Sequence, residues 1–198
     1  DTNDAITVTV TDAISVSEFN TLNAKTGADI ILTGGITDEA TAFSSSSGVI
    51  EPGLEALSSQ DSDVTLTVND KVNMAQFSDI DASTSVSVVL TGGISDEAVN
   101  LADTSGSLST DFSAATTQDS DVAVTITSGS GITDANAAQI SAVAGITSGA
   151  VTASIAGDYA TVNALTNTDT NDAITVTVTD TISVSDFATL NAKTGTDV

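Results

Sequence analysis

DTNDAITVTVTDAISVSEFNTLNAKTGADIILTGGITDEA, residues 1–40, is the stretch from which the fold of this chain is read. Ile6, Val8 and Val10 alternate with Thr7, Thr9 and Thr11, giving one apolar and one hydroxyl-lined face. That is the pattern of a half-buried strand rich in β-branched residues. Ser15 then offers a helix N-cap, Glu18 completes a capping box, and Ile14 and Phe19 have the spacing of a hydrophobic staple. Phe19 and Leu22 fall on one helical face. A shorter, more apolar run over 29–33 reads as a second strand, and Thr33-Gly34-Gly35 closes it with a turn that needs glycine dihedrals. Ile36-Thr37-Asp38-Glu39, like Ile94-Ser95-Asp96-Glu97 further along, reads as the start of a short helix, its two acids favoured by the helix macrodipole.

The pattern returns along the chain. Residues 61–98 (DSDVTLTVNDKVNMAQFSDIDASTSVSVVLTGGISDEA) overlay 1–40 with small gaps, and 119–157 form a more diverged third copy. The helix-start device recurs at Val72, Asn73, Gln76 and Phe77 and at Ile182, Ser183, Asp186 and Phe187, and is read weakly at Ile132 and Thr133, with Ala137 in the phenylalanine position. Pro52 marks a further helix start ahead of Leu54 and Leu57. Residues 169–198 replay 1–30 with five substitutions, at Thr181, Asp186, Ala188, Thr196 and Val198. A 168-residue period with no initiating Met leads to the expectation of a window cut from a longer tandem array.

The expected organisation is one continuous solenoid segment over 1–198, with internal pairs 1–60, 61–118 and 119–168 and a restart of the long repeat over 169–198. Strand, short helix, strand at about 28 residues implies an α/β fold: a right-handed solenoid of stacked strand-helix coils sharing one parallel sheet. A plain parallel β-solenoid with irregular loops is the alternative. Six coils at ~4.8 Å would advance the long repeat by roughly 29 Å. Ile6, Val8, Val10, Phe19, Leu22, Leu66, Val68, Phe77 and Ile80 are the expected continuous core.

Composition narrows the function. Twenty-seven acids face three basic residues, with net charge −24, no His and no Cys, yet 40% of residues are hydrophobic. Such a chain can bury a core, and its charge argues against nucleic acid and anionic membrane surfaces, which select Lys and Arg. The absence of Cys fits a large exported bacterial protein. No segment reads as a membrane span, so no membrane insertion is expected. Catalysis is not expected either, since general acid–base chemistry draws on His, or on carboxylates beside cationic groups. The pairs Asp38-Glu39 and Asp96-Glu97 repeat with the scaffold, which active sites seldom do.

The acids before the first strands are the candidate metal ligands: Asp1 with Asp4, Asp61 with Asp63, Asp119 with Asp121, and Asp169 with Asp172. Recurring at one corner, with Asp29 a candidate for the same corner between them, they would repel through a partly dry groove, and calcium would suit them with its oxygen ligands and flexible geometry. The same residues also serve as turn formers without any metal. Neither the glycine-rich nonapeptide of calcium-binding β-rolls nor an EF-hand loop is present. Outward threonines Thr7/Thr9, Thr65/Thr67, Thr125/Thr127 and Thr175/Thr177 would suit ice binding, a lateral contact between rods or O-linked sugar, with Ile31 and Val89 interrupting the row.

SDVTLTVNDKV (62–72), NDAITVTVTDAISV (3–16) and GGITDEA (34–40) resemble the degenerate repeats of giant secreted surface proteins of cyanobacteria and other aquatic bacteria. The resemblance implies export to the cell surface and a part in adhesion, coats or motility, and it transfers no catalytic residue. The expected function is therefore an extracellular structural repeat protein forming a rod, adhesin stalk or surface filament, with a calcium-binding or ice-binding module as the alternative. Expected partners are further copies of itself, end to end or laterally, cations, and surface polysaccharide.

Overall fold

The computed structural model describes residues 6–127 and 135–194, which carry nine helices and nine short strands. Asp1, Asp4, Ile132, Thr133, Thr196 and Val198 lie outside the described residues. The chain forms two units, Asp1–Gly93 and Ile94–Val198.

In the first unit β1 (Val8–Val10) leads into α1 (Val16–Asn23) and β2 (Ile30–Leu32), and β1 pairs with β2 in parallel. The expected capping box is present: Ser15 accepts from the Glu18 amide at 3.2 Å while the Glu18 carboxylate accepts from the Ser15 amide at 2.9 Å. After β2 the chain turns at Gly34 and Gly35. A side chain on Gly34 would run into the Asp12 backbone, and Gly35 sits at φ 77°. β3 (Ile36–Asp38) then starts a new ladder, pairing with β4 (Leu66–Val68), which pairs with β5 (Val89–Leu90). Between them lie α2 (Ala40–Phe43) and α3 (Pro52–Gln60), and between β4 and β5 lies α4 (Met74–Ala82). Pro52 opens α3 as expected, and Leu54 and Leu57 are buried.

In the second unit β6 (Ile94–Glu97), β7 (Val124–Thr127), β8 (Val151–Gly157) and β9 (Ala173–Val178) form one four-stranded parallel sheet. Its helices are α5 (Ala98–Leu101), α6 (Thr110–Gln118), α7 (Ala137–Ala144), α8 (Tyr159–Asn163) and α9 (Val184–Asn191).

The expected right-handed solenoid with one parallel sheet, and its plain β-solenoid alternative, are corrected by this pairing. Among the described residues three parallel sheets, of two, three and four strands, divide between two units. The physical reason lies at the Gly-Gly corners, where Gly35 and Gly93 adopt positive φ and the residues before and after each corner enter different ladders. Helices in six of the eight connections between the described strands also exclude a plain β architecture. A second correction concerns Ile36-Thr37-Asp38 and Ile94-Ser95-Asp96-Glu97, expected as helix starts. Both are strands, because their backbones find parallel partners in Leu66–Val68 and Val124–Thr127, and the helices begin at Ala40 and Ala98.

The core is likewise divided. Phe19, Leu66, Val68, Phe77 and Ile80 are buried as expected, but Val8, Val10 and Leu22 are only half-buried and Ile6 is 58% exposed. The helix read weakly at Ile132-Thr133 is instead capped at Asn136, with Gln139 closing the box and Ile140 in the phenylalanine position. Three residues of register separate the two readings, and Ile140 is fully buried where Ala137 would have filled too little space.

Candidate functional site

Several acids of this chain lie at segment junctions, where they accept hydrogen bonds from backbone amides one strand-helix step earlier. The Asp38 carboxylate accepts from Val16 N at 3.0 Å, at the first turn of α1. Asp70 accepts from Ala40 N at 2.6 Å, at the start of α2, and Asp180 accepts from Tyr159 N at 2.9 Å, at the start of α8. Asp61 accepts from Leu32 N at 3.0 Å, and Asp172 from Val151 N at 2.8 Å. Each partner lies 21 to 30 residues earlier in the chain. The amides at a helix start have no intrahelical acceptor, so a carboxylate from the next segment both satisfies them and complements the macrodipole.

Of the eight candidate metal ligands, Asp1 and Asp4 lie outside the described residues. Asp61 caps the end of α3 and is turned to Leu32 N, while Asp63 is exposed. Burial foremost, with Asp63 beside it, pushes the Asp61 carboxyl above its ordinary range, against the lowering effect of the Leu32 amide. Asp119 caps the end of α6, and Asp121 is exposed. Asp172 is buried, with its second oxygen accepting from Asp169 N at 2.9 Å; Asp169 in turn accepts from Asn171 N at 2.8 Å. This is the geometry of a self-bonded acidic turn. Among the described residues no group of three or more acids is placed to hold a metal ion. Asp29 and Asp61 do share the rim of an open hollow with Gln60, Thr7 and Ile31.

Reading the sequence missed Asp70 and Asp180 as clamps, and took Asp38 for a local helix-start charge. The signal was available in their phase. Val10-Thr11-Asp12, Val68-Asn69-Asp70 and Val178-Thr179-Asp180 place an Asp two residues past the first strand in three copies. A second recurring device joins them. Gln76 and Gln139, both buried, close their capping boxes and also donate to the carbonyls of Ser44 and Ala102, each at 2.9 Å. Asn73 and Asn136 donate to the Ser46 and Thr104 carbonyls in the same way.

Lys193, one of three basic residues, donates from Nζ to the carbonyls of Asn163 and Leu165 at 2.5 and 2.8 Å, closing the end of α8. Tyr159 stands beside Asp186, and burial foremost, with that carboxylate, holds its hydroxyl above the ordinary value. On the sheets, the threonine rows are mixed with aliphatics: Thr9 pairs with exposed Ile31, and Thr67 with exposed Val89.

No helix among the described residues is long and apolar enough to cross a membrane. Comparison of the chain with family models, curated proteins and solved structures returned no match.

Proposed function

We propose that this chain is a structural repeat segment of an extracellular protein, a spacer within a stalk or surface filament. The observation that carries the reading is the recurrent clamp of a carboxylate from one segment on a backbone amide of the segment before it, made by Asp38, Asp61, Asp70, Asp172 and Asp180. Acids spent on joining consecutive segments at each repeat serve mechanical continuity rather than the turnover of a substrate.

The remaining exposed carboxylates give the surface a strong negative field, with cations as its counter-ions, and this keeps neighbouring filaments apart at low ionic strength. Cysteine-free composition and the resemblance to secreted tandem-repeat proteins support placement at the cell exterior. The test is immunogold electron microscopy of intact cells, with antibody raised against this chain, alongside fractionation. Label on the outer surface or on extending fibres is expected; label confined to the cytosol would overturn the proposal.

A further inference from the structure

The first unit contains a strand whose outer edge is bonded to side chains instead of to another strand. β2 pairs with β1, and among the described strands it has no second partner. Amides two residues apart point to the same edge of a strand. Those of Ile30 and Leu32 donate to the Gln60 side-chain oxygen at 3.1 Å and to the Asp61 carboxylate at 3.0 Å. Both acceptors come from the C-terminal end of α3, and Gln60 also donates to the Asn23 side chain at 2.7 Å, which ties that end to α1. Asp172 makes the same kind of contact with a different sequel. It accepts from Val151 N at 2.8 Å, but there the chain runs on into β9, whose backbone pairs with Thr152 to Gly157 of β8. After Asp61 the chain passes instead to β4, which pairs with β3 and β5. Two side chains thus hold the place on β2 that a strand holds on β8.

The strand they cover has the composition of one that adds to others. Ile30, Ile31 and Leu32 are aliphatic and uncharged, and Ile31 is 46% exposed. An edge of that kind with free amides is a template for strand addition, and proteins blunt such edges with charge or by covering them. Asp61 brings charge and Gln60 a neutral acceptor, and neither carries the ladder of alternating donors and acceptors onward. The same letters recur in the chain: Gln118-Asp119 follow Val88-Val89-Leu90 at the spacing by which Gln60-Asp61 follow Ile30-Ile31-Leu32.

We propose that Gln60 and Asp61 form a plug that keeps β2 from adding a strand of another molecule, namely the Ile30–Leu32 segment of a second copy of this chain. A second copy fits because its β2 carries the same uncharged aliphatic run, and like segments stack in register with their amides paired. The acidic exterior does not by itself prevent this, because β2 contributes no charge and repulsion between exposed charges fades beyond a Debye length, ~8 Å at physiological salt. The plug acts locally. The amides of Ile30 and Leu32 become available only when the end of α3 lifts, which breaks both bonds and the Gln60–Asn23 contact together. In a chain built of repeated segments, this keeps each segment from pairing with the wrong copy.

The experiment compares wild type with Gln60→Ala/Asp61→Ala over a concentration series at neutral pH and physiological salt, by light scattering after size separation and by thioflavin fluorescence. The double variant should assemble at a concentration about tenfold or more below that of wild type, both bonds being lost. A triple variant that adds Ile31→Lys separates strand addition from general unfolding. It restores neither bond but puts a charge on the exposed face of β2, so the extra assembly should disappear. Hydrogen exchange should show the Ile30 and Leu32 amides unprotected in the unassembled double variant and protected again in its assembled fraction. Assembly no greater than that of wild type, assembly that persists with Ile31→Lys, or Ile30 and Leu32 amides as protected in the unassembled double variant as in wild type would each overturn the plug. Assembly that leaves those amides unprotected also overturns it, and in every case the cellular location is decided separately by the surface labelling.

Discussion

Phe19 and Phe187 occupy equivalent positions of a repeated helix, yet truncating them should have very different consequences. Phe19 is fully buried between α1 and its neighbours, so Phe19→Ala removes a ring from a closed site and should cost about 3–5 kcal/mol, transfer plus cavity. Phe187 keeps 45% of its surface in water. Only a little over half of the ~1.5–3 kcal/mol for burying such a side chain is at stake, with no closed cavity left behind, so Phe187→Ala should cost about 1–2 kcal/mol. The expected gap is ~2–3 kcal/mol between chemically identical substitutions. Because the chain forms two units, a single global transition is not assumed. The assay is native-state hydrogen exchange by mass spectrometry at low micromolar concentration, comparing amides of α1 and β2 with those of α9 and β9. Equal losses of protection in the two variants would refute the argument, since they would show that α3 contributes nothing to holding α1.

Further substitutions probe the joints between segments. Gly53→Ala places a methyl against Val16 Cγ1 and Asn20 Nδ2. Alanine normally favours a helix, so the expected loss of about 1–3 kcal/mol reverses the usual sign, and a gain in stability would show that α3 can shift away freely. Asp172→Ala leaves the buried amide of Val151 without its acceptor, and removes the part-buried bond from the Asp169 amide, and should cost about 2 kcal/mol in urea unfolding, with Asp172→Asn losing less. The helix caps set the acid limit. Glu18 is held below its ordinary range by the Ser15 amide and hydroxyl, Asp158 by Thr161, and Asp186 by the Ser183 hydroxyl and amide. Carboxyls depressed in the folded state contribute stability that is present above about pH 4 and lost as pH falls through the lowered values. Asp61, raised by burial, works in the opposite sense and stabilises as pH falls. Amide exchange at the starts of α1, α8 and α9 should therefore accelerate first on acidification, and uniform protection down to pH 2 would contradict the capping account.

The helix starts were legible because their determinants are local. Ser15 and Glu18, Asn73 and Gln76, and Ser183 and Asp186 are three residues apart, and each pair forms its capping box irrespective of what packs above it. Pro52 fixes the first turn of α3 for the same reason. The first strands were legible from alternation, as the burial of Leu66 and Val68 around Thr67 shows. Asn136 was misplaced by three residues because Gly-rich residues before it blur the phase that an aromatic staple marks elsewhere.

What escaped the sequence depends on residues brought together from different segments. Asp38 and Val16 are 22 positions apart, Gln60 and Asn23 are 37 apart, and neither pair leaves a local trace. Whether consecutive strands share one sheet was decided by the Gly-Gly corners, which redirect the ladder from Leu32 to Ile36. Ile6 and Ile174, or Phe19 and Phe187, are the same letters in the same local pattern. Sequence determines that each belongs to a segment with an apolar face; only the tertiary structure decides whether a strand partner forms beside it and whether a neighbour covers that face, because burial is a property of the surroundings and not of the residue.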